Sequence, residues 1–249
     1  YIASQFDLIH TVMGECTIYH PKVVQHFCIP LFSIKKENLE FLGFFTKYKS
    51  IYYLRCCYIL ICRYIARYRR KTISHHFSIA NSKWTKNVVK QEYPNIKNIK
   101  HIYFWPKSHF KNNFKIKSFD ERDNKIIMLG RIVKSKNFNI GIELVNSLKK
   151  MGLDYKLIII GRSNTRYSKE LFENFKDKDN IEFIFDAKRD FIFNECSKSK
   201  YGLHGFKYEH FGSAAIEMRS ASLPTFVPAY GGQAEISNQF FTYKNKNQL

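Results

Sequence analysis

Residues 124–161 read NKIIMLGRIVKSKNFNIGIELVNSLKKMGLDYKLIIIG, and the class of fold follows from them. The apolar run Asn124–Leu129 predicts a short buried strand. Apolar residues then recur at helical spacing from Ile140 to Met151 and stop at Gly152, which predicts a helix with a glycine at its end. The second apolar run, Tyr155–Ile160, predicts another strand. A strand, a helix and a strand of these lengths are typical of a parallel βαβ unit.

The same alternation continues to the end of the chain. Further strands are predicted at Ile181–Phe185, Lys200–His204 and Leu223–Pro228, and helices at Tyr167–Phe175, Phe191–Ser197 and Ser213–Ala221. Five strands separated by helices require right-handed parallel crossovers. We therefore expect a doubly wound α/β sheet with its ligand crevice at the carboxyl ends of the strands.

The first half of the chain is also predicted to be α/β. Strands are expected at Phe6–Val12, Val23–Cys28, Ile73–Ala80 and Ile99–Trp105, and helices at Ile51–Lys71 and Trp84–Tyr93. The polar segment Lys107–Asp123 indicates a linker. We therefore expect two α/β domains, residues 1–118 and 119–249, facing each other across a cleft.

Composition excludes several classes of protein. The 249 residues are 45% hydrophobic and 16% aromatic, which is enough to form a core and excludes a disordered or fibrous chain. The sequence contains no uncharged apolar run of 18 residues and no signal-peptide pattern at its N-terminus. The six cysteines form no CxxC pair and there is no glycosylation sequon, so we expect a reducing compartment.

The net charge of +20 is concentrated in the first half. Residues 1–118 hold 20 basic and 5 acidic side chains, whereas residues 119–249 hold 21 and 16. Eleven lysines or arginines and no acidic residue lie between Glu40 and Glu92. This asymmetry indicates a polyanionic partner, either phospholipid headgroups or nucleic acid. The alternative explanation of the positive charge is an AT-rich genome, which raises the lysine content of all its proteins.

The long predicted helix, Ile51–Lys71, is amphipathic. One side of the helix carries an apolar stripe, which consists of Leu54, Tyr58, Ile61, Ile65 and Tyr68. The opposite side carries a stripe of arginines, which consists of Arg55, Arg63, Arg67 and Arg70. Arg55 excludes a membrane-spanning helix. Two interpretations stay open: a core helix with solvated arginines, or a surface helix whose arginines bind anionic lipid.

Two groups of residues are suited to bind ligands: the first to bind a phosphate and the second to bind a diol. Gly130-Arg131 follows the first strand of the second domain, and Lys136 comes five residues after Arg131, where a diphosphate would sit at the N-terminus of the next helix. Glu209 and Glu217 are separated by seven residues, which include Gly212 and Ser213 at the start of a predicted helix. A carboxylate accepts hydrogen bonds from vicinal hydroxyls, so the pattern indicates a nucleotide sugar.

These motifs together resemble the donor domain of retaining glycosyltransferases of the GT-B fold, family 4. The resemblance covers residues 124–237 and also includes the strand Lys156–Gly161 and the sequence Gly231-Gly232-Gln233-Ala234-Glu235. A looser likeness in the first half is to the subgroup that adds α-1,2-mannose to dolichol-linked oligosaccharide on the cytosolic side of the membrane. It rests on Thr11–Gly14, Pro30–Ser33 and Asn81–Thr85.

The resemblance implies a role for each matching position. Arg131 and Lys136 would neutralise the departing diphosphate, Glu209 would bind hydroxyls of the transferred hexose, and these three form the expected catalytic set. Glu217 would bind the ribose. The expected donor-binding set is Gly130, His204, Phe211, Gly212, Ser213, Glu217, Gly231, Gly232 and Glu235. In the mechanism that the resemblance implies, the acceptor hydroxyl attacks the sugar on the face from which the diphosphate departs, and the departing phosphate accepts the hydroxyl proton. Such a reaction would require no metal and no cofactor.

The implied partners are a nucleotide sugar, most simply GDP-mannose, and a lipid-linked glycan acceptor. An anionic membrane surface would bind the basic first half, which gives a peripheral location on the cytoplasmic side and no nucleic-acid partner. The alternatives are a basic α/β module that binds nucleic acid, and a GT-B enzyme with a soluble acceptor. The motif Asp177-Lys178-Asp179 lies between a predicted helix and a predicted strand, so we interpret it as a solvated loop and not as a metal site.

Two departures from the family pattern are visible. The subgroup's histidine before the strand-end proline is replaced by Cys28, and His26 is the nearest histidine and a weak candidate for the site. The family's glycine-rich acceptor loop is not found near the N-terminus, and the sequence stops before the helix that crosses back to the first domain. We therefore expect a fragment or truncated copy whose first domain is incomplete, which binds donor and transfers poorly.

Overall fold

The computed structural model describes residues 3–34, 49–104 and 116–249. Contacts divide the chain into two compact units. The first comprises residues 1–104 together with Tyr208–Phe211, and the second comprises residues 105–207 and 212–249. Each unit holds one parallel sheet.

The sheet of the second unit has six parallel strands. Its strands are β5 (Asp123–Leu129), β6 (Lys156–Gly161), β7 (Ile181–Phe185), β8 (Ser199–Leu203), β9 (Thr225–Pro228) and β10 (Thr242–Tyr243). Their order in the sheet is β10-β9-β8-β5-β6-β7. The connecting helices are α4 (Asn139–Lys150), α5 (Arg166–Phe175), α6 (Arg189–Lys198), α7 (Ser213–Ser220) and α8 (Gly232–Glu235).

Side chains on the two faces of this sheet enter two separate cores. Met128 and Ile159 pack on one face with Phe138 and Val145, the latter from α4. Ile127 and Ile158 pack on the other face with residues of α6 and α7. Strands buried on both sides read as continuous apolar runs, which is why the sequence predicts them well.

All five strands and four helices predicted for this half are confirmed, with ends that differ by at most two residues. The strand predicted from Leu223 begins at Thr225, because Leu223 packs in the core below the sheet. The two-residue strand β10 was missed. It pairs with β9 at the edge of the sheet, and two residues carry no periodicity.

The first unit has a four-stranded parallel sheet in the order β1-β2-β3-β4. Its elements are β1 (Ile9–Thr11), β2 (Val23–Phe27), α1 (Lys49–Ile65), α2 (Arg70–His75), β3 (Phe77–Ala80), α3 (Lys83–Glu92) and β4 (Ile99–His101). The core is formed by Phe27 and Ala80 from the strands together with Ile73, Val89 and Tyr93.

Four predictions for the first half are wrong in part. The strands expected at Phe6–Val12 and Ile99–Trp105 cover only Ile9–Thr11 and Ile99–His101 among the described residues, because they pair with β2 and β3 only there. The strand expected at Ile73–Ala80 is a strand only from Phe77, because residues 70–75 form α2 and bury Ile73 as a helical residue. The long helix ends at Ile65 and not at Lys71, since Arg67 adopts a left-handed backbone with φ of 49°. Trp105 and residues 107–115 of the expected linker lie outside the described residues, and Phe119–Glu121 forms a 3₁₀ turn before β5.

Within the described ranges, no helix combines the length and the apolar character needed to cross a bilayer. The longest, α1, has 17 residues. At a rise of about 1.5 Å per residue it is shorter than the hydrocarbon core of a membrane, which is about 30 Å thick.

Candidate functional site

A cavity of about 630 Å³ opens at the carboxyl ends of β5, β6 and β7 in the second unit. Gly130 and Arg131 line it after β5, and Gly161, the last residue of β6, lines it together with Arg162. Glu217, on the second turn of α7, reaches the same cavity. A volume in this range is typical of small-molecule sites, and the edge is the one at which parallel sheets bind ligands. The structure thus brings three predicted residues, Gly130, Arg131 and Glu217, into one cavity.

Glycine at position 161 is required by a close approach of two main chains. A Cβ atom at Gly161 would lie 2.0 Å from the main-chain oxygen of Gly130. The amide of Gly130 in turn donates a 3.0 Å hydrogen bond to the oxygen of Ile160. The loops after β5 and β6 are therefore held against each other, and main-chain atoms form part of the cavity wall.

The charge of the cavity is mainly positive. Three guanidinium groups, those of Arg131, Arg162 and Arg189, line it against two carboxylates, those of Asp186 and Glu217. Burial raises the pKa of Glu217, and the charge of Arg189 partly offsets this by lowering it. The arrangement suits a ligand that carries anionic groups and also hydroxyls for a carboxylate acceptor.

Sequence reasoning missed Arg162 and Arg189. The signal for Arg162 was present, because Gly161-Arg162 repeats at the end of β6 the Gly130-Arg131 pair at the end of β5. Neighbouring parallel strands place the ends of both pairs at one edge. Arg189 is the first residue of α6, separated from the end of β7 by three residues, and belongs to no recognisable motif.

Lys136 lies in a second group of loops at the same edge of the sheet. Its ammonium nitrogen lies 4.9 Å from the ring centroid of Phe206, which follows β8. Gly205 approaches the main-chain oxygen of Lys136 so closely that a Cβ there would be 2.7 Å from it. Gln233 of α8 donates a 2.6 Å hydrogen bond from Nε2 to the oxygen of Phe206. The loops after β5, β8 and β9 therefore meet around Phe206.

The predicted glycines after β9 form the turn into α8. Gly231 has a φ of 80°, in the region that favours glycine, and Gly232 is the first residue of α8. Both are buried, whereas Glu235 at the end of α8 is exposed. His204, directly after β8, has a side chain that is 3% exposed, and its main-chain oxygen accepts a 2.7 Å hydrogen bond from the hydroxyl of Tyr243.

The segment Tyr208–Phe211, which carries two predicted site residues, belongs to the first unit. The hydroxyl of Ser82 donates a 2.7 Å hydrogen bond to the main-chain oxygen of His210. The ring of Phe211 stacks on that of Tyr103 with centroids 6.4 Å apart. Glu209 is half-buried in this segment.

Gly212 and Ser213 follow in the second unit. Gly212 adopts a φ of 92° and Ser213 begins α7. Of the two glutamates in the Glu-x7-Glu pattern, Glu217 thus lies in the cavity of the second unit and Glu209 in the first unit.

The remaining candidates are not part of these groups. His26 lies on β2 in the first unit, and its ring packs 4.3 Å from that of Phe104. Burial and the nearby His10 lower the pKa of His26. Among the residues that the structure describes, no cluster of three His, Cys, Asp or Glu side chains could hold a metal ion. Asp179 pairs with Lys149 at 3.0 Å in an exposed loop between α5 and β7.

A doubly wound parallel sheet with this cationic cavity at its carboxyl edge, in a chain that also holds a second parallel sheet, is the construction of a GT-B glycosyltransferase. The sequence agrees: residues 109–247 match the family Glycosyl transferases group 1, and the chain belongs to that family. The predicted fold class is therefore confirmed.

Two curated relatives carry the same name. The chain is 23% identical over 167 residues to the GDP-Man:Man(3)GlcNAc(2)-PP-Dol alpha-1,2-mannosyltransferase of Eremothecium gossypii, an alignment that covers 62% of this chain and 28% of the relative. It is 25% identical over 169 residues to the Candida glabrata protein of the same name, covering 62% and 33%. The match thus spans about a third of the length of these relatives.

Solved structures agree on the fold. Sucrose-phosphate synthase from Thermosynechococcus elongatus superposes with a TM-score of 0.64 at 14% identity, covering 98% of this chain and 62% of that one. TarM superposes with a TM-score of 0.57 at 15% identity, covering 92% and 42%.

Proposed function

We propose that the protein transfers mannose from GDP-mannose to a lipid-linked glycan at a membrane surface. The observation that carries this proposal is the cavity at the carboxyl edge of the second unit, where Arg131 and two further guanidiniums face Glu217. The relatives named GDP-Man-dependent alpha-1,2-mannosyltransferases supply the sugar, the nucleotide and the class of acceptor.

In this proposal the cavity binds the nucleoside half of the donor. Glu217 accepts hydrogen bonds from the ribose hydroxyls, and the main chains of Gly130 and Gly161 line the pocket. Main-chain groups at the ends of parallel strands allow a flat ligand to approach closely, which side chains would prevent. Arg162 and Arg189 add positive charge that attracts the nucleotide from solution.

The diphosphate binds between Arg131 of the cavity and Lys136 of the second group of loops, and the hexose binds at that second group. Arg131 and Lys136 neutralise the negative charge that builds up on the diphosphate as its bond to mannose breaks. Gly231 and Gly232 present main-chain amides, and Glu235 and His204 bind the sugar. The family resemblance assigns Glu209 to hydroxyls of the hexose. Phe206 holds the Lys136 ammonium by a cation–π contact at 4.9 Å, so that the charge is positioned before the donor arrives.

We propose retention of configuration, as in family 4, with the acceptor hydroxyl attacking on the face that the phosphate leaves. The leaving phosphate oxygen then takes the acceptor's proton, so the reaction needs neither a protein nucleophile nor a metal ion. The acceptor is amphiphilic, so we propose that the protein lies peripherally on a membrane, on the cytoplasmic side that the subgroup resemblance implies. Its cationic first half attracts anionic lipid.

The test is calorimetric titration of the protein with GDP-, UDP- and ADP-sugars, followed by turnover with a lipid-linked oligosaccharide. We expect GDP-mannose to bind most tightly, and Lys136→Ala to reduce turnover by roughly a hundredfold or more, because a preorganised charge on the leaving group is lost. Glu209→Ala should also abolish turnover.

The matched control is Lys134→Ala, a lysine exposed in the same 3₁₀ turn as Lys136. Normal turnover in both Lys136→Ala and Glu209→Ala would reject the assignment. Equal turnover on a soluble sugar acceptor would reject the lipid-linked acceptor. Tight, steeply salt-dependent binding of RNA or DNA without donor binding would favour the nucleic-acid alternative.

A further inference from the structure

The long helix α1 exposes its apolar side and turns its arginine side inward, which is the reverse of the orientation of a core helix. Its exposed arc is formed by eight uncharged residues: Tyr53, Leu54, Cys57, Tyr58, Leu60, Ile61, Tyr64 and Ile65. Four members of the apolar stripe are exposed to 70% (Leu54), 63% (Tyr58), 58% (Ile61) and 73% (Ile65). A soluble helix normally buries such a stripe, so both interpretations of this helix from the sequence misplaced its faces.

The arginines of α1 point into the first unit. Arg55 donates a 3.1 Å hydrogen bond to the main-chain oxygen of Ser33. Arg63 donates from Nε to the oxygen of Phe32 at 3.0 Å and lies 3.6 Å from the buried carboxylate of Glu92. Only one residue of the helix, Ile59, is fully buried. Hydrogen bonds to main-chain oxygens thus hold the arginine side of the helix against the first unit.

Exposed cations follow the apolar arc. Arg67, Arg69 and Lys71 come directly after α1 and are all exposed. Arg69 and Lys71, together with Lys22, line a cavity of about 900 Å³ whose wall also contains three histidines and no acidic residue. This cavity opens at the amino ends of β2 and β3, away from the edge at which a parallel sheet binds its donor.

We propose that the exposed arc of α1 inserts into the surface of a bilayer that contains anionic phospholipid, with Arg67, Arg69 and Lys71 on the headgroups. The exposed arc is apolar and includes three tyrosines, which favour the level of the headgroups. The sequence of residues 41–91 contains eleven lysines or arginines and no acidic residue, so its charge complements phosphate. The apolar residues, not the arginines of the helix, carry most of the binding.

This inference rests on the proposed function for the presence of a membrane and adds the surface that meets it. The helix lies along the membrane and does not cross it, because its inner arc is already bonded to the first unit through Arg55 and Arg63. A second copy of this chain is the competing occupant of the arc.

The experiment measures co-sedimentation of the protein with vesicles of phosphatidylcholine alone and of phosphatidylcholine with phosphatidylserine, without donor or acceptor. The wild type should bind both and bind the anionic vesicles more tightly. Leu54→Glu/Ile61→Glu should lower binding to both by about tenfold or more, because a charged side chain resists insertion. The control Met151→Glu, at a methionine 73% exposed in the second unit, should bind as the wild type does.

The cations are tested separately. Arg69→Glu/Lys71→Glu should remove the preference for phosphatidylserine and leave binding to phosphatidylcholine vesicles intact. A fluorophore on Cys57, which is exposed on the arc, should shift to the blue when vesicles are added.

Several outcomes would overturn the inference. These are no binding of the wild type to either vesicle, unchanged binding of Leu54→Glu/Ile61→Glu, and no spectral shift at Cys57 on bound vesicles. A wild-type dimer in light scattering that Leu54→Glu/Ile61→Glu converts to monomer, with vesicle binding unchanged, would assign the arc to a second copy. Donor titration in solution reports on the proposed function separately, since none of these residues lines the donor cavity.

Discussion

The guanidinium of Arg63 donates from Nε to the main-chain oxygen of Phe32 at 3.0 Å, across 31 residues of sequence. This bond turns the arginine side of α1 inward and leaves its apolar side outward. The carboxylate of Glu92 lies beneath the same segment and accepts a 2.7 Å hydrogen bond from the hydroxyl of Ser33. The segment that contains Phe32 and Ser33 is therefore fixed by two polar groups, the guanidinium of Arg63 and the carboxylate of Glu92.

We expect Arg63→Met to reduce the free energy of unfolding of the first unit by about 1–3 kcal/mol. The substitution keeps the aliphatic contacts but leaves the oxygen of Phe32 without its donor. Urea denaturation followed by circular dichroism measures the change. The control is Lys90→Met, at an exposed lysine on α3, for which we expect a change within about 0.5 kcal/mol. Equal stability of the two variants would show that the Arg63 contacts contribute nothing.

Gly161→Ala should weaken donor binding and destabilise the second unit. The new Cβ would lie 2.0 Å from the main-chain oxygen of Gly130, so β5 and β6 would have to move apart at the cavity. We expect a loss of about 3 kcal/mol in the free energy of unfolding, measured by urea denaturation, and weaker binding of GDP-mannose by calorimetry.

Gly152→Ala separates the steric effect from the backbone effect. Gly152 has a φ of 78° but open space around it, so alanine there suffers only the strain of a left-handed backbone. We expect a loss of about 1 kcal/mol and unchanged donor affinity. If Gly161→Ala behaved in the same way, the contact between the two loops would be irrelevant to the cavity.

The sequence predicts the second unit better than the first for a physical reason. Strands such as β6, with four consecutive buried residues, require apolar side chains on both faces, and that requirement is visible as an uninterrupted run. In the first unit, Ile73 and Phe77–Ala80 form one apolar stretch that spans a helix and a strand. A short apolar run does not distinguish the two.

The same limit applies to the faces of α1. Amphipathic periodicity identifies two opposed stripes, but it does not say which one packs inward. Burial is decided by the partners of Arg55 and Arg63, which are main-chain oxygens more than twenty residues away in the sequence. The position of Gly130 and Arg131 directly after a strand predicts that they lie at the sheet edge that binds ligands. The sequence holds no such signal for Glu209, because its place in the first unit depends on residues that are its neighbours only in space.

The cysteines should differ sharply in reactivity. Burial raises the pKa of the Cys196 thiol to about 12, and the nearby charge of Glu195 adds to this effect. Cys57 is exposed on α1. Because the thiolate is the reactive form, maleimide at neutral pH should label Cys57 rapidly and Cys196 only after denaturation, as read by peptide mass spectrometry. Labelling of Cys196 in the folded protein would contradict its burial between the sheet and α6.

Affinity for the donor should fall at mildly acidic pH because of Glu217. Burial raises the pKa of this carboxyl above its ordinary value, and Arg189 partly offsets the rise. In our proposal the ionised carboxylate accepts hydrogen bonds from ribose hydroxyls. As the pH falls through the raised pKa, the carboxyl takes up a proton and loses acceptor capacity, so affinity drops at a pH where an exposed glutamate is still ionised.

Calorimetric titration with GDP-mannose between about pH 5 and 7.5 measures this effect, because the diphosphate of a nucleotide sugar has no group that titrates there. Glu217→Gln should bind about tenfold more weakly at neutral pH and lose the part of the acidic fall that Glu217 causes, since one acceptor oxygen remains and an amide does not titrate. Arg189→Met removes the charge that lowers the pKa of Glu217, so the fall should move to higher pH. Glu182→Gln, at a half-exposed glutamate paired with Lys156, should keep the wild-type profile. A profile that is the same in the wild type and in Glu217→Gln would mean that Glu217 does not contact the donor.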